Sequence, residues 1–395
     1  MHGINDYLEW FGDIGLDEVP FNEVDALALA MLSYVSFEGI EDVSMPLDMT
    51  EANELVAEAF PDGVDAPAGA LGPYLPVLVE RMAAGRRFGT AVIDHFEISD
   101  VARDNKQFCA LTVHLADKSH YLSYRGTDGT IAGWREDFEL TYQTFAAQDD
   151  GLDYLTRVAA HTSGVLRLGG HSKGGNLAAY AAALAPDEVR ERVAELWCFD
   201  SPGFDDQVMS FDRLRAMSDR TRFVVPEGSI IGMILGHAAS PEVVTSDAHG
   251  IMQHNAFTWG VRGRSYEAAE GLSQSSKRFN ELFDKVMREH DLDGRREVIA
   301  NAFGVLEASG VTEFSDIATS GRTGYAAMGR AYTQLDPDVR ASIMDTLMAL
   351  VGGAFGIAWD GVMASLPGPF GEGADEDAAP SAGADDAAQA LPDGV

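Results

Sequence analysis

Leu166-Arg167-Leu168-Gly169-Gly170-His171-Ser172-Lys173-Gly174-Gly175-Asn176-Leu177-Ala178-Ala179-Tyr180 decides how this chain is read. An apolar run stops at a glycine pair, a serine follows, two more glycines come after it, and an alanine-rich run begins. Val165 to Leu168 predicts a buried strand, and Asn176 to Ala185 a helix made of strong helix formers. Between them Gly170, Ser172 and Gly174 spell Gly-x-Ser-x-Gly. A strand that turns at once into a helix holds such a serine in a strained bend with its hydroxyl exposed. Glycines on either side let the two backbones approach, as a residue with a Cβ would not. Outside that context the same letters mark an ordinary glycine-rich connection. Within it, Ser172 is the candidate nucleophile.

Strand patterns precede the elbow at Phe108–Leu115 and His120–Tyr124, joined by a hairpin-type turn at Ala116–Ser119. Others follow it at Glu195–Phe199, Arg222–Val225 and Glu242–Thr245, with helical stretches between. Strands alternating with helices predict an α/β fold with a mostly parallel central sheet covered on both faces. Upstream, Asn22 and Asp25 suit the start of a helix that is apolar nearly all round, as far as Tyr34. Residues 46–95 read as loops and short helices. Amphipathic helical patterns from Ser273 onward predict a C-terminal helical appendage over 276–365, after a catalytic domain over 1–275. Residues 366–395 are mostly Gly, Ala, Pro, Asp and Glu, which predicts a disordered acidic tail.

The bulk charge excludes several function classes. Among 395 residues, 63 Asp and Glu face 28 Lys and Arg, a formal charge of −35, so phosphate backbones and anionic lipid surfaces are repelled. Cys109 and Cys198 sit in apolar strand-like runs and read as buried thiols, and neither metal nor disulfide spacing is present. No cofactor or metal is expected. The start of the chain lacks the basic and apolar stretches of a signal peptide. The apolar segment Met348–Leu366 has only 14 uncharged residues between Asp345 and Asp360, too few to span a bilayer. A cytoplasmic location, with no integral membrane segment and no nucleic acid partner, is the expectation.

A serine hydroxyl becomes a nucleophile when an imidazole takes its proton and an acid fixes that imidazole's tautomer. On a sheet of this kind the chain order is serine, acid, histidine. His254, in Gln253-His254-Asn255-Ala256-Phe257-Thr258-Trp259, lies past the last strand, with Phe257 and Trp259 as apolar anchors; it is the first choice for the base, ahead of His237, His249 and His290. Asp200 ends the strand after the elbow helix, Glu227 ends the next one, and Asp247 lies close to His254 in sequence. Asp200 is the preferred acid and Glu227 the alternative. An oxyanion needs two aimed donors. The N–H of Lys173 opens the elbow helix, and Thr127, in Arg125-Gly126-Thr127-Asp128, follows an earlier strand and offers both an N–H and a hydroxyl. His171, together with Ile230, Ile231 and Met233 from the apolar run Ile230–Leu235, is the candidate substrate-binding set; core packing is the equal alternative for that run.

Tyr124-Arg125-Gly126-Thr127 with Trp134 and Asp137 resembles the oxyanion segment of class 3 lipases, and the elbow is similar to theirs, with Lys173 where leucine is more usual. The wider set resembles a bacterial branch of α/β hydrolases known as domain of unknown function 2974. Its features stand here as Asp25–Tyr34, Phe199–Phe204, Val225–Gly232 and Gln253–Trp259, over roughly residues 20 to 265. The resemblance implies an α/β-hydrolase fold with Ser172 as nucleophile and His254 as base. In class 3 lipases the acid follows the later strand, near Glu227, where this chain has no aspartate. The expected activity is hydrolysis of a small-molecule or lipid ester through an acyl-enzyme. An acyltransferase on the same triad, or an inactive hydrolase fold that binds a partner, are the alternatives; oligomeric state is not legible.

Overall fold

The computed structural model describes residues 1–350 apart from 36, 38–44, 65–68, 102–105 and 349. One sheet holds eight strands whose spatial order is their chain order: β1 (Leu47–Asp48), β2 (Val92–Val101), β3 (Lys106–His114), β4 (His120–Tyr124), β5 (Leu166–His171), β6 (Val193–Phe199), β7 (Thr221–Pro226) and β8 (Pro241–Val244). Neighbours from β1 to β4 are antiparallel, and from β4 to β8 they are parallel. The mostly parallel α/β architecture is therefore as the sequence predicts.

The helices divide by face. On one side lie α1 (Ile4–Phe11), α2 (Glu23–Leu32), α3 (Met49–Ala59) and α4 (Leu75–Ala84), which share an apolar cluster with Leu111, Val113, Tyr121, Phe199 and Val224 of the sheet. On the other lie α5 (Ile131–Glu139), α6 (Ala146–His161), α7 (Lys173–Leu184) and the short α8 (Asp187–Arg190) and α9 (Phe211–Arg215), packed with Leu122, Leu168, Cys198 and Phe223. Adjacent strand residues such as Tyr121 and Leu122 go to opposite clusters, as the period of two requires. The division follows from topology. Parallel strands laid side by side in chain order, joined by right-handed crossovers, send every crossover helix to the same face. The N-terminal helices must cover the other.

Residues 46–95 hold the expected short helices as α3 and α4, but also β1 and the start of β2, which the sequence pattern does not foretell. The strand pattern of β2 is hidden because a bulge between Asp94 and Glu97 breaks its alternation. Downstream, α10 (Gln274–Glu289), α11 (Leu292–Glu307), α12 (Gly321–Gln334) and α13 (Pro337–Leu347) form the helical part. Phe279, Phe283, Val298 and Phe303 from it join the same apolar cluster as Phe138 of α5 and Leu122 of β4, so it shares the core of the crossover face. Apart from Met348 and Leu350, the segment Met348–Leu366 lies outside the described residues, as does the acidic stretch 366–395. Among the described residues no helix is long and apolar enough to cross a membrane.

The N-terminal layer is fastened by one buried ion pair. Asn22 caps α2, accepting from Val24 N–H at 2.9 Å, and Asp25 closes the box by accepting from Asn22 N–H at 2.9 Å. The same Asp25 carboxylate takes both Nε (2.6 Å) and Nη2 of Arg87, and its Oδ1 accepts the Tyr7 hydroxyl at 2.8 Å. Arg87 also donates to the carbonyls of Ile14, Val19 and Pro20 at 3.0, 3.1 and 3.1 Å. Both charged side chains are fully buried. Removing one partner strands the other charge, so Arg87→Ala is expected to cost about 3–5 kcal/mol. The urea unfolding midpoint checks this, and a loss below about 1 kcal/mol contradicts it.

Candidate active site

The elbow is built by close approach. β5 ends at His171 and α7 begins at Lys173, so Ser172 alone makes the turn, at φ 56° and ψ −138°. A non-glycine residue held there stores strain, which the neighbouring hydrogen bonds stabilise: Ser172 N–H to the Phe199 carbonyl at 2.9 Å and Gly175 N–H to the Ser172 carbonyl at 3.0 Å. A Cβ on Gly174 would lie 2.0 Å from the Tyr124 carbonyl oxygen, and one on Gly126 would lie 2.8 Å from Ser172 Cβ. Glycine at these two positions lets the helix start and the Arg125–Asp128 loop both reach the serine.

His254 ends a 3₁₀ turn, Gly250–His254, after β8. Its Nδ1 lies 2.7 Å from Oδ2 of Asp200. Asp200 follows β6 directly, and its φ of 42° marks a sharp bend at the strand end. Its other oxygen accepts the Ser229 hydroxyl and, at 3.1 Å, the Gly232 N–H, so this buried carboxylate is fully hydrogen-bonded. A ring nitrogen facing a carboxylate carries the proton, which leaves the Nε2 lone pair of His254 for the nucleophile. The His254 loop is anchored by Trp259, whose Nε1–H donates to the Gln253 carbonyl at 2.7 Å, and by the Gln253 side chain, which accepts the Gly228 N–H at 2.8 Å.

A line of hydrogen bonds joins the remaining parts. The Tyr34 hydroxyl donates to His171 Nδ1 at 3.0 Å, and Gly126 packs so close that a Cβ there would lie 2.4 Å from the Tyr34 oxygen. His171 Nε2–H then donates to the His254 carbonyl at 2.7 Å. Burial holds the His171 pKa well below the ordinary imidazole value, so the ring stays neutral in the tautomer these bonds require.

Ser172 and His254 line one cleft of about 640 Å³, together with Tyr34, Leu71, Thr127, Asp128, Trp134, His171, Ile251, Met252, Asn255 and Glu313. No hydrogen bond of 3.5 Å or less joins the serine hydroxyl to the imidazole; such contacts commonly tighten only when substrate docks. Thr127 lies on the cleft wall beside Ser172. Its hydroxyl is committed to Asp137 at 3.1 Å and so is not free to bind a substrate oxygen. Lys173 N–H is the first of α7, where the helix leaves N–H groups without partners. The Lys173 side chain turns away to a buried ion pair with Glu136 at 2.8 Å, which offsets the cost of a cation at a helix N-terminus.

The other candidates fall elsewhere. No hydrogen bond or ion pair joins Glu227 to His254, and Asp247 approaches the N-terminal amine instead, at 3.9 Å. His237 is stacked on Phe223 with centroids 3.6 Å apart and its pKa is pushed down to about 4 by burial, away from the serine. His249 is exposed, and His290 donates to the Val286 carbonyl at 3.0 Å. Ile230, Ile231 and Met233 are core residues that do not line the cleft, which corrects their reading as substrate contacts. His171 does line it, with both ring nitrogens already engaged by the protein. Sequence reasoning missed Glu313, which arrives from the helical part. Ile131 N–H bonds the Thr312 carbonyl at 2.9 Å and Phe314 N–H the Gly129 carbonyl at 3.0 Å, so residues 312–314 are stitched to the Thr127 loop.

The mostly parallel sheet flanked by helices makes this an α/β protein, with Ser172 and His254 on one cleft. Residues 82–304, more than half of the chain, match the family model described as Mbeg1-like, and the chain belongs to that family, which is associated with lipase-like α/β hydrolases. No curated protein matches the chain.

Burial raises the Asp137 carboxyl from its ordinary 3.8 to about 7. Between these values the unfolded chain loses a proton that the folded one keeps. The stabilising contribution is therefore complete below pH 4 and is lost as pH rises to 7. Asp137→Asn is expected to flatten that decline, by up to about 1.4 kcal/mol per pH unit in the window. Urea midpoints of both proteins from pH 4 to 8 test this; parallel curves contradict it.

Proposed function

We propose that this chain is a serine ester hydrolase that works through an acyl-enzyme. The observation that carries the reading is Ser172 in its strained turn, sharing one cleft with a His254 whose Nδ1 is held by Asp200. Ser172 Oγ attacks the ester carbonyl carbon while its proton passes to His254 Nε2. The N–H groups of Thr127 and Lys173 bind the oxyanion. Collapse breaks the bond to the alkoxy group, which leaves as the alcohol with the proton from His254. Water then repeats the sequence on the acyl-serine and releases the carboxylic acid. Asp200 stays ionised throughout and orients the imidazolium.

The cleft holds both Ser172 and His254. Leu71, Trp134, Ile251 and Met252 supply its apolar side. Short to medium acyl chains suit it best. The helical part belongs to the catalytic unit in this reading, since Glu313 reaches the cleft wall.

A fluorophosphonate probe should label the wild type and leave Ser172→Ala unlabelled. On a chain-length series of nitrophenyl esters, Asp200→Asn should lower kcat by about 10³–10⁴ with Glu227→Gln close to wild type. A folded wild type that neither labels nor turns over any ester of the series refutes the reading.

A further inference from the structure

Four of the chain's 10 histidines, His95, His114, His120 and His161, gather at the end of the sheet opposite Ser172. His120 opens β4 and pairs with His114 at the end of β3, while the elbow lies beyond the far end of the adjoining β5, roughly 20 Å along the strands. Asp94 of β2 sits diagonally across from His114, whose direct partner is Val92, so Asp94, His114 and His120 share one sheet face. His95, next along β2, would ordinarily point to the opposite face. The bulge after Asp94 and a φ of 51° at His95 turn it back, to 3.2 Å between its Nδ1 and Asp94 Oδ2.

The proton positions in this cluster follow from its anchors. His120 Nε2 lies 2.8 Å from the Ser163 carbonyl, which can only accept, so Nε2 carries the hydrogen. Neutral His120 therefore presents a bare Nδ1, 2.7 Å from His114 Nδ1. His114 must donate there, which leaves its own Nε2 bare, 3.4 Å from Asp94 Oδ2. His95 Nδ1 is buried and has no hydrogen-bond partner. Asp94 Oδ1 is already taken by His95 N–H at 2.7 Å, so Oδ2 is the oxygen that faces both rings. The His114 lone pair, His95 Nδ1 and a carboxylate oxygen thus converge, and each of the three residues offers a ligand atom within 4.8 Å of the others'. Like-signed lone pairs arranged this way repel unless a cation lies among them. The end of α6, with the negative pole of its dipole and His161 in its last turn, lies beside them.

We propose that Asp94 Oδ2, His95 Nδ1 and His114 Nε2 bind a divalent transition-metal ion of the zinc type, with His120 as a positioning residue that fixes the His114 tautomer. Two nitrogen donors and one carboxylate favour such an ion over Mg²⁺ or Ca²⁺, which prefer all-oxygen shells. Half-exposed ligands leave a further coordination position to water. The relay from His114 through His120 to a main-chain carbonyl is the kind of outer support that orients metal-binding imidazoles. Held between β2 and β3, the ion fastens two strands of the antiparallel edge, with His120 of β4 supporting it from behind. It is structural, remote from the serine.

The test uses the full chain, stripped with EDTA and titrated with Zn²⁺ by calorimetry, and with Co²⁺ by its visible absorption. One Zn²⁺ per chain is expected, with Tm raised by roughly 5 °C at a hundredfold excess over Kd. Mg²⁺ should have no such effect. Asp94→Asn and His114→Ala should each weaken binding at least a hundredfold, and His120→Ala about tenfold. Near-UV circular dichroism and Tm in EDTA, unchanged from wild type, establish that each variant is folded; His95→Ala, at the bulge, gives a second ligand deletion if one is not. Absence of Zn²⁺ binding by the wild type, or binding that survives in folded Asp94→Asn and His95→Ala alike, overturns the proposal.

Discussion

One continuous hydrogen-bonded path holds four distant segments of this chain in register: Tyr34 to His171, His171 to the His254 main chain, and the His254 ring to Asp200. Each link fixes the next, because a neutral imidazole has one donor and one acceptor and each is used once. Tyr34 stands after α2 in the N-terminal layer, so the helices remote in sequence from Ser172 bear on the position of the candidate base. The loop carrying Thr127 packs against the same path at Gly126, where a Cβ would lie 2.4 Å from the Tyr34 hydroxyl. The cleft is thus assembled from the whole depth of the molecule rather than from the loops of the parallel half alone.

The same feature explains the crowding around Ser172. His171 stands beside the candidate nucleophile and has the right side chain for a base, but its lone pair is spent on Tyr34 and its N–H on His254. Asp137 is a further buried acid near the site, and it holds the Thr127 hydroxyl. The stacked rings of Trp134 and Phe314, 4.4 Å apart, cover this corner from the helical part.

Much of the fold was legible because it rests on local signals. Period-two runs, the glycine-flanked serine and the cap at Asn22 declare themselves within a few residues. The elbow context also limited the base and acid to loops after later strands, which brought His254, Asp200 and Glu227 forward. Choosing between the two acids depends on a backbone bend at Asp200 that no letter of the sequence announces. The bulge in β2 concealed a whole strand and, with it, the convergence of Asp94, His95 and His114, which no regular spacing foretells. Glu313 lay beyond reach for another reason: its approach to the Thr127 loop depends on how α10 and α11 fold back over α5. Ile230, Ile231 and Met233 have the composition of a pocket wall and the burial of a core, and composition cannot separate the two.

Strand order has a further consequence for what counts as the smallest viable unit. With all crossovers on one side, Leu111, Val113, Tyr121, Phe199 and Val224 depend for cover on helices that precede the second strand. The family match begins only at residue 82, after nearly all of that cover. A fragment cut to the matched region would carry the serine and its partners on a sheet with one greasy side open to water, a surface that invites self-association. The opening helices are therefore the outer wall of the protein's own house, and Tyr34 is the beam that ties that wall to the hearth.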